Sequence, residues 1–307
     1  MNEINHIIST NQFDDKSKLR ELFERAHEFC EMNSNGGLKP VLQGKILATL
    51  FYEPSTRTRF SFEAAMRKLG GGVISTENAM VSSSAKKGES ICDTMKIISG
   101  YADAIVLRHP ENGTAKTAAD ASSVPVINAG DGTNEHPTQA LLDVYTMVEH
   151  FEKLDGLAIA VVGDLLYGRT VHSLLQLLSN YNVTVYAIAP KDLELPDDFK
   201  KRLEGNGLVV HENAELKEVL SKVDVLYLTR VQKERFKSIE EYNYVKDLFV
   251  FDQKQLTLLN QKAVIMHPLP RINELPMSID KDKRAIYFKQ AENGLYVRMA
   301  LLEKLLI

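Results

Sequence analysis

Eight short apolar runs, rich in β-branched residues, constrain the fold of this sequence more than any other feature. Four lie in the first half and four in the second half: Lys45–Phe51, Gly71–Thr76, Ala102–Arg108, Val124–Gly130, Leu157–Asp164, Val183–Ala189, Val223–Thr229 and Ala263–Leu269. Near-continuous hydrophobic strands that alternate with helices are typical of parallel sheets covered on both faces. The pattern therefore predicts an α/β protein with two units of similar size and strand count.

Three further segments are predicted as helices that flank or join the two units. Ser17–Met32 forms the first helix, and His136–Phe151 joins the units, because its apolar residues recur at 3.6-residue spacing. The last segment, Ala291–Ile307, also reads as a helix, and we expect it to return to the first domain. The predicted domains are residues 1–137 with 292–307, and residues 138–291.

Size and charge exclude several classes of function. The 307 residues suit two domains of about 150 residues each. A net charge of -4 gives no general attraction to nucleic acid or to an anionic membrane, so local basic clusters are better suited to small anions. No apolar run approaches the roughly 20 residues of a membrane span, and the N-terminal residues lack the pattern of a signal peptide.

Cysteine content points to a reducing compartment. Cys30 and Cys92 are the only cysteines of the sequence, and they do not form a C-x-x-C motif. This content argues against a disulfide framework and against a cysteine-based metal site, and it fits the cytoplasm.

Polar clusters follow six of the eight apolar runs at the point where each run ends. In chain order they are PSTRTR, RHP, GDGTNEHPTQ, DLLYGRT, TRVQKER and HPLPR. In open parallel sheets, ligands bind beyond the carboxyl ends of the strands. We therefore expect two Rossmann-like domains, joined by helices, with the active site in the crevice between them.

The first of these clusters has the chemistry of an anion site. Ser55 is predicted to cap a helix, whose first backbone N–H groups belong to Thr56, Arg57 and Thr58. Arg57 adds a planar guanidinium that suits phosphate, whereas Arg59 lies about 200° around the helix and cannot face the same ligand. The alternative is a capped surface helix with solvated arginines. The motif is not a P-loop, and no G-x-G-x-x-G follows a strand, which argues against nucleotide binding.

Two histidine-containing clusters belong to the same half. Arg108 and His109 end the third apolar run, and His136 and Gln139 lie three residues apart on one face at the start of the joining helix. A lone histidine is more often structural than catalytic. His136 heads a helix near the other clusters, and on this ground we favour a functional role for it.

The clusters of the second half suit a substrate that carries carboxylates and an amine. Arg169, Arg230 and Gln232 offer hydrogen-bond donors without acidic residues close by in the sequence. The HPLPR turn, His267–Arg271, contains two prolines, which favour an irregular backbone that can include a cis peptide bond. Its carbonyl groups point outward in this interpretation and can orient an amine.

Taken together, these clusters resemble the aspartate/ornithine carbamoyltransferase family, in the same order and over essentially the whole chain. S-T-R-T-R with H-P-T-Q marks the family, and T-R-V-Q-K-E-R with H-P-L-P-R is similar to the catalytic chains of its aspartate branch. The ornithine branch typically has H-C-L-P, and Pro268 occupies the position of that cysteine. The resemblance implies transfer of a carbamoyl group from carbamoyl phosphate to the amine of L-aspartate, an early step of pyrimidine synthesis. Carbamoyl phosphate is already activated, so we expect no metal and no other cofactor.

The resemblance also implies roles for individual residues. Those that hold the phosphate are Ser55, Thr56, Arg57 and Thr58. Those at the carbamoyl end are Arg108, His136 and Gln139, together with Pro268, Leu269 and Pro270 of the HPLPR turn. Those that bind aspartate are Arg169, Arg230 and Gln232, with Lys87 and Leu269 beside them. The residues with an implied catalytic role are Arg57, Thr58, Lys87, Arg108 and His136.

The charged loop SSSAKKGES has two interpretations. From its residues alone it is a solvated charge run that contains Ser83, Lys86 and Lys87. The resemblance implies instead that Ser83 and Lys87 enter the active site of a neighbouring subunit, which makes a homotrimer with shared sites the minimal active unit. The G-D-x-x-Y-G-R-T form further resembles enzymes that assemble with separate regulatory chains, and it raises that partner as a hypothesis.

Three alternatives remain open. A carbamoyltransferase for ornithine or a related amine is disfavoured by His267–Leu269 and Arg230–Gln232. A catalytically silent subunit, acting as a scaffold or as a sensor of phosphate ligands, is disfavoured by the intact set of Arg57, Thr58, Lys87, Arg108 and His136. A nucleotide-binding dehydrogenase lacks its glycine fingerprint.

Overall fold

The computed structural model of the chain describes residues 5–82, 88–212, 214–232 and 250–307, with positions 238, 240 and 242. The chain forms two compact units. One comprises the chain up to Tyr145 together with Glu292–Ile307, and the other comprises Thr146–Ala291. No helix within the described ranges combines the length and the hydropathy that a membrane span requires.

Within the described residues, nine strands form two sheets. They are β1 (Ile46–Phe51), β2 (Gly72–Glu77), β3 (Ala104–His109), β4 (Val126–Asp131), β5 (Ala158–Val162), β6 (Thr184–Ile188), β7 (Val209–His211), β8 (Val225–Leu228) and β9 (Val264–Met266). Each predicted apolar run overlaps one of these strands. The short strand β7 was not predicted, because its three residues are mostly exposed and carry no buried apolar run.

The helices follow the strands as expected for a parallel α/β protein. They are α1 (Lys16–Ser34), α2 (Thr56–Lys68), α3 (Ala79–Ser82), α4 (Ile91–Ile98), α5 (Thr114–Ala121), α6 (Pro137–Phe151), α7 (Arg169–Leu178), α8 (Asp197–Gly205), α9 (Leu216–Val219), α10 (Gln253–Leu258) and α11 (Tyr287–Leu306). The last helix begins at Tyr287, before the predicted start at Ala291, and α6 spans the boundary between the two units.

Both sheets are parallel, which confirms the predicted fold class. The first has the strand order β2-β1-β3-β4, and the second has the order β7-β6-β5-β8-β9. In the first sheet, Leu47 of β1 pairs with Val73 on one side and with Ala104 on the other. In the second sheet, Ile159 of β5 pairs with Val185 and with Val225. The order reverses beside β1 and β5, so ligands are expected at the carboxyl ends of these two strands.

Burial explains why most of these runs became strands, with the mostly exposed β2 as the exception. The central strands are buried nearly throughout, and the β4 pattern is buried at every position. In the first unit, strand residues such as Ala48 and Ile105 pack with Met95 of α4, and in the second unit Ala160 and Leu226 belong to a separate core cluster. Each unit therefore has its own hydrophobic core, and the polar strand ends are left for function.

Candidate functional site

The first turn of α2 follows β1 directly and presents the polar groups of the STRTR cluster. Ser55 occupies the predicted N-cap position, but its side chain makes no capping hydrogen bond. Its backbone, at φ -160° and ψ 88°, lies outside the extended conformation that directs an N-cap hydroxyl to the helix N–H groups. The N–H groups of Thr56, Arg57 and Thr58 belong to the helix start, where no intrahelical acceptor exists. This geometry favours an anion ligand.

The two arginines of the cluster differ in their surroundings. Arg57 is exposed. Arg59 donates to Glu77 Oε2 at 2.8 Å and to Ser75 Oγ at 3.2 Å, and it lies 3.7 Å from Glu63 Oε1. Arg59 is therefore bound to β2 and to its own helix, in agreement with the expectation that only Arg57 serves the helix start.

Arg108 is the penultimate residue of β3 and lies beside an acidic partner that sequence reasoning missed. Its Nε lies 3.3 Å from Glu53 Oε2, and its Nη1 donates to the Ala129 carbonyl at 3.4 Å. The signal was available, because Glu53 stands between β1 and Pro54 in the same polar cluster. The ion pair fixes the guanidinium at the carboxyl end of the sheet, next to the strand that precedes α2.

His109 has a structural environment. Its Nδ1 accepts the Glu111 N–H at 3.2 Å and lies 3.1 Å from Thr114 Oγ1, and its ring lies 4.8 Å from that of Tyr52. Burial lowers the pKa of the His109 imidazole, against the opposing charges of nearby carboxylates. The ring is therefore neutral at pH 7 and holds the turn after β3.

His136 stands at the start of α6, at the end of a loop that is fixed on both sides. The Asp131 carboxylate accepts the Gly113 N–H at 2.9 Å and the Glu135 N–H at 3.2 Å. The Glu135 carboxylate accepts hydrogen bonds from the Thr10 N–H at 2.7 Å and from the Thr10 hydroxyl at 2.8 Å. His136 itself is 3% exposed, so its ring position is set by the protein and not by solvent.

Gln139 lies on the first turn of the same helix. Its backbone N–H donates to the His136 carbonyl at 2.9 Å, and its Nε2 donates to Asp143 Oδ1 at 2.8 Å. Asp143 is fully buried. Because this bond fixes the plane of the Gln139 amide, the structure brings His136 and Gln139 together as predicted and also orients one of them.

In the second unit, a buried carboxylate connects two of the predicted clusters. Asp164 follows β5, and its oxygens accept the Tyr167 N–H at 2.9 Å and the Gln232 N–H at 3.4 Å. Gln232 Nε2 in turn donates to the Tyr167 carbonyl at 2.9 Å. The pKa of Asp164 is raised by burial, although these N–H groups and the charge of Arg230 oppose the shift. Asp164 thus supplies the acidic partner that the sequence did not place near Gln232.

The backbone at the end of β5 requires glycine. Gly163 has φ +126°, and a Cβ atom there would lie 2.2 Å from the Thr229 carbonyl oxygen. The close approach brings the ends of β5 and β8 together. It explains how Asp164 reaches Gln232, which follows β8 in the sequence.

The two arginines predicted to bind carboxylates flank this connection. Arg169 is the first residue of α7 and is 9% exposed, and Arg230 is half-buried after β8. The structure therefore gathers Arg169, Arg230 and Gln232 around the loops that Asp164 holds. The remainder of the TRVQKER cluster lies outside the described residues.

The HPLPR turn after β9 is held by a histidine–glutamate pair. His267 Nδ1 accepts the Leu269 N–H at 2.8 Å, and its Nε2 lies 2.9 Å from Glu274 Oε1. Because Nδ1 accepts, the neutral ring carries its proton on Nε2 and donates it to Glu274. Leu269 has φ +53°, an uncommon backbone conformation for a leucine, and the Leu269–Pro270 peptide bond is cis.

The carboxylate of this pair also bonds to the chain that follows the turn. Glu274 Oε1 accepts the Ile272 N–H at 3.0 Å. Burial raises the pKa of Glu274, but the hydrogen bonds that the carboxylate accepts from His267 and from backbone N–H groups outweigh it, so that the net pKa is lowered. Arg271 is occupied by Asp280 and by the Tyr287 hydroxyl, which assigns it to the support of the turn.

One predicted feature, the charged loop with Ser83, Lys86 and Lys87, lies outside the part of the chain that the structure describes. Among the described ranges, no cluster of three or more histidine, cysteine, aspartate or glutamate side chains has metal-binding geometry.

Comparisons with known proteins assign both halves of the chain. Residues 5–149 match the carbamoyl-P binding domain of aspartate/ornithine carbamoyltransferase, and residues 155–305 match its Asp/Orn binding domain. The chloroplastic aspartate carbamoyltransferase of Oryza sativa subsp. japonica is 51% identical over 98% of this chain and 85% of its own length.

Two solved structures agree with these matches. The catalytic subunit of M. jannaschii aspartate transcarbamoylase is 47% identical, with a TM-score of 0.90 over 98% of each chain. Aspartate transcarbamoylase from Trypanosoma cruzi, solved in complex with N-(phosphonacetyl)-L-aspartic acid, is 38% identical, with a TM-score of 0.93 over 99% of this chain and 96% of that chain.

Proposed function

Because the chain belongs to the aspartate/ornithine carbamoyltransferase family, we infer that it transfers the carbamoyl group of carbamoyl phosphate to the amine of L-aspartate. The products are N-carbamoyl-L-aspartate and phosphate, and the reaction is an early step of pyrimidine synthesis. The observation that carries this conclusion is the similarity of both domains, over nearly the full chain, to enzymes named for aspartate. Pro268, in place of the cysteine typical of the ornithine branch, agrees with it.

We propose that the phosphate binds at the start of α2. The N–H groups of Thr56, Arg57 and Thr58 and the positive end of the helix dipole favour an anion, and the Ser55 hydroxyl is not used as a helix cap. Arg57 is exposed and supplies a second, charged contact. The departing phosphate gains negative charge during the reaction, so these groups bind the transition state more tightly than the substrate.

The carbamoyl oxygen is proposed to contact Thr58, Arg108 and His136. As the amine attacks, the carbonyl oxygen becomes an oxyanion, and fixed donors stabilise it by about 3–4 kcal/mol each in comparable sites. Support comes from the rigidity of this half-site, where Arg108 is held by Glu53 and His136 is buried at a helix start. Gln139 and the carbonyl groups of the HPLPR turn, Pro268 to Pro270, are proposed to hold the carbamoyl amide.

Aspartate is proposed to bind through Arg169, Arg230 and Gln232, with Lys87 and the Leu269 carbonyl beside it. Guanidinium groups suit carboxylates because they form two parallel hydrogen bonds. Gln232 is already oriented by Asp164 and Tyr167, which supports its assignment.

The reaction depends more on alignment of the two substrates than on activation of either one, because carbamoyl phosphate is already activated. The amine nitrogen of aspartate attacks the carbamoyl carbon, the bond from that carbon to the phosphate oxygen breaks, and the phosphate accepts the proton of the amine. Correct positioning of the two substrates lowers the barrier by roughly 7–11 kcal/mol. No side chain is assigned as a general base.

We propose that residues 1–137 with 292–307 bind carbamoyl phosphate and that residues 138–291 bind aspartate. Two compact units with nearby boundaries support this division, and the family descriptions change between residues 149 and 155. Both substrates must meet for transfer, so both domains serve one active site, which we propose lies in a crevice between them.

The active unit is proposed to be a homotrimer in which Ser83 and Lys87 act in the neighbouring site. Mixing inactive Arg57→Ala and Lys87→Ala proteins under conditions of subunit exchange should restore part of the activity, because some sites then contain neither substitution. Absence of recovery, with exchange demonstrated by mass spectrometry, would contradict shared sites.

Two further proposals concern the setting of the enzyme. The M. jannaschii protein is called a catalytic subunit, which supports separate regulatory chains as partners. A cytoplasmic location is proposed from the cysteine content, although the Oryza sativa relative is chloroplastic. Copurification from the native source and cell fractionation test these two points.

Formation of the ureido product from carbamoyl phosphate tests the main conclusion. The purified protein is supplied with L-aspartate and, in parallel, with L-ornithine, with no metal added. Turnover with aspartate alone is expected. Turnover with ornithine alone would reassign the second domain, and no turnover from a folded oligomer would favour the silent scaffold.

A further inference from the structure

A buried arginine of the first unit lies between the second turn of α2 and the start of α6. Arg298, on α11, is 3% exposed. Its Nη1 donates to Ser61 Oγ of α2 at 2.8 Å, and its Nη2 donates to Thr138 Oγ1 of α6 at 3.4 Å. Its guanidinium carbon lies 4.9 Å from the centre of the Phe62 ring. One side chain of α11 thus contacts both α2 and α6.

The contacts fall close to the residues proposed to bind the substrate. Ser61 lies four residues after Arg57, which is one turn along α2. Thr138 lies between His136 and Gln139 on the first turn of α6. A shift of either helix relative to Arg298 would therefore move the phosphate donors relative to the carbamoyl donors.

The guanidinium is poorly neutralised for a buried group. Within the described ranges, no carboxylate lies in ion-pair distance of Arg298, and its Nε has no hydrogen-bond partner. Burial lowers its pKa to about 10, and the charge of buried Asp143 only partly opposes this. The group still carries a positive charge at neutral pH. Burial of such a charge is costly, and an apolar replacement is often neutral or stabilising.

The packing of α11 makes room for this side chain. A Cβ atom on Gly294 would lie 2.6 Å from Arg298 Nη1 and 2.9 Å from Leu142 Cδ2. The absence of a side chain at Gly294 therefore lets the guanidinium sit between α11 and α6. Gly294→Ala would displace the guanidinium without removing its charge.

We propose that Arg298 is a positioning residue for carbamoyl phosphate. The Arg298 side chain fixes the start of α2 against the start of α6. This proposal rests on the proposed function, because carbamoyl phosphate is the ligand assigned to these helices. The residue acts through Ser61 and Thr138 and does not touch the substrate. A role in packing alone predicts a loss of stability, whereas a positioning role predicts a loss of affinity without one.

The test compares Arg298→Met with the wild type in two measurements. Inorganic phosphate binding by calorimetry is expected to weaken about tenfold, because the two helix starts lose their common partner. The midpoint of thermal unfolding is expected to stay the same or to rise, because a buried charge has been removed. Unchanged phosphate affinity would overturn the proposal, whether or not the midpoint of thermal unfolding falls.

Further variants separate positioning from charge and from misfolding. Arg298→Lys keeps the charge but not the planar fork, so it should remain impaired, and full recovery would show that charge alone matters. Ser61→Ala and Thr138→Val each remove one contact, should weaken binding less, and should add little to Arg298→Met. Additive losses from these hydroxyl variants in the Arg298→Met background would contradict the proposal.

A second buried arginine provides the matched control. Arg284 in the other unit is 8% exposed and bonds to Asp282 and to the Leu259 carbonyl. Arg284→Lys should lower stability and leave phosphate affinity unchanged. If the wild type binds phosphate but does not carbamoylate aspartate, the proposed function fails while this comparison still decides the role of Arg298. A wild type that does not bind phosphate overturns both.

Discussion

The turns that follow β1 and β5 occupy corresponding places in the two sheets but carry opposite charges. The first has an exposed arginine, and the second has a buried carboxylate. After β1, the start of α2 carries no side-chain cap from Ser55, and Arg57 is exposed. After β5, the buried carboxylate of Asp164 accepts the N–H groups of Tyr167 and Gln232. We propose that the donors of the first turn bind an anion from solution, whereas N–H groups of the second turn bind the protein's own carboxylate.

The difference indicates how the same arrangement of strand, turn and helix can be adapted to two different substrates. A phosphate is well matched to a helix start, because several N–H groups converge on it. The carboxylates of a small amino acid are better matched to guanidinium groups. In the second turn, Asp164 therefore organises the chain, and we propose that Arg169, Arg230 and Gln232 recognise the substrate. The predictions below alter one turn at a time.

Loss of Arg57 should produce the largest effect, because it removes charge from the open turn. Arg57→Ala is expected to lower kcat about 10²–10³-fold, the usual cost of losing one donor to a developing negative charge. Steady-state kinetics with saturating aspartate measures it. Arg67→Ala, an exposed arginine near the end of the same helix, is the control and should be nearly silent. Similar losses from both variants would mean that general charge, and not the helix start, binds the phosphate.

Neutralisation of Asp164 should damage the second turn alone. Asp164→Asn is expected to raise KM for aspartate about tenfold, because Gln232 loses its charged acceptor, and to leave KM for carbamoyl phosphate unchanged. Burial raises the pKa of Asp164, so its ionised form opposes folding at neutral pH, and the variant should unfold at the same or a higher temperature.

Exposed Asp192 in the same unit provides the control, as Asp192→Asn. A rise in KM for carbamoyl phosphate in the Asp164 variant would show that the two turns are not separable in function.

Acid should weaken the HPLPR turn through Glu274. The pKa of this carboxyl is lowered in the folded protein, so its stabilising contribution is complete above the ordinary carboxyl pKa of about 4.3 and is lost as the pH falls through the folded value. Glu274→Gln should therefore cost about 1–2 kcal/mol of unfolding free energy at pH 7, and less at pH 3. Urea unfolding across this range measures the difference. Glu21 is exposed and provides the control, as Glu21→Gln. Its cost in unfolding free energy should not change between pH 7 and pH 3.

The smallest expected change is the stability of Ser55→Ala. A true N-cap contributes about 1 kcal/mol, but the Ser55 side chain makes no capping bond, so its loss should cost less than about 0.5 kcal/mol. KM for carbamoyl phosphate should nevertheless rise severalfold. Ser90 caps α4 by accepting the Asp93 N–H at 3.1 Å, and Ser90→Ala should show the full cost. Equal losses of stability would mean that Ser55 is a cap after all.

The sequence predicted elements well where burial is continuous. Seven of the eight apolar runs overlap strands that are mostly buried, because long buried stretches have few other solutions. Strand β2 overlaps its run although it is mostly exposed, and the exposed three-residue strand β7 left no apolar signal. The candidate site residues were selected by type and by their place after strands.

Their partners were not predictable in the same way. Glu53 and Asp164 are acids beside strand ends, a signal that was present but unused. Contacts such as Arg298 with Ser61 join residues 237 positions apart, which spacing along one chain does not reveal.

The placement of α11 has a consequence for how the protein is made. The second unit is a continuous stretch of chain, but the first is completed only by Glu292–Ile307, which the ribosome adds after the whole second unit. Arg25 then pairs with Glu303 across 278 positions, a contact order that slows folding. The second unit can therefore fold during synthesis, while the first unit waits for its last helix and is the one that chaperones would meet unfinished.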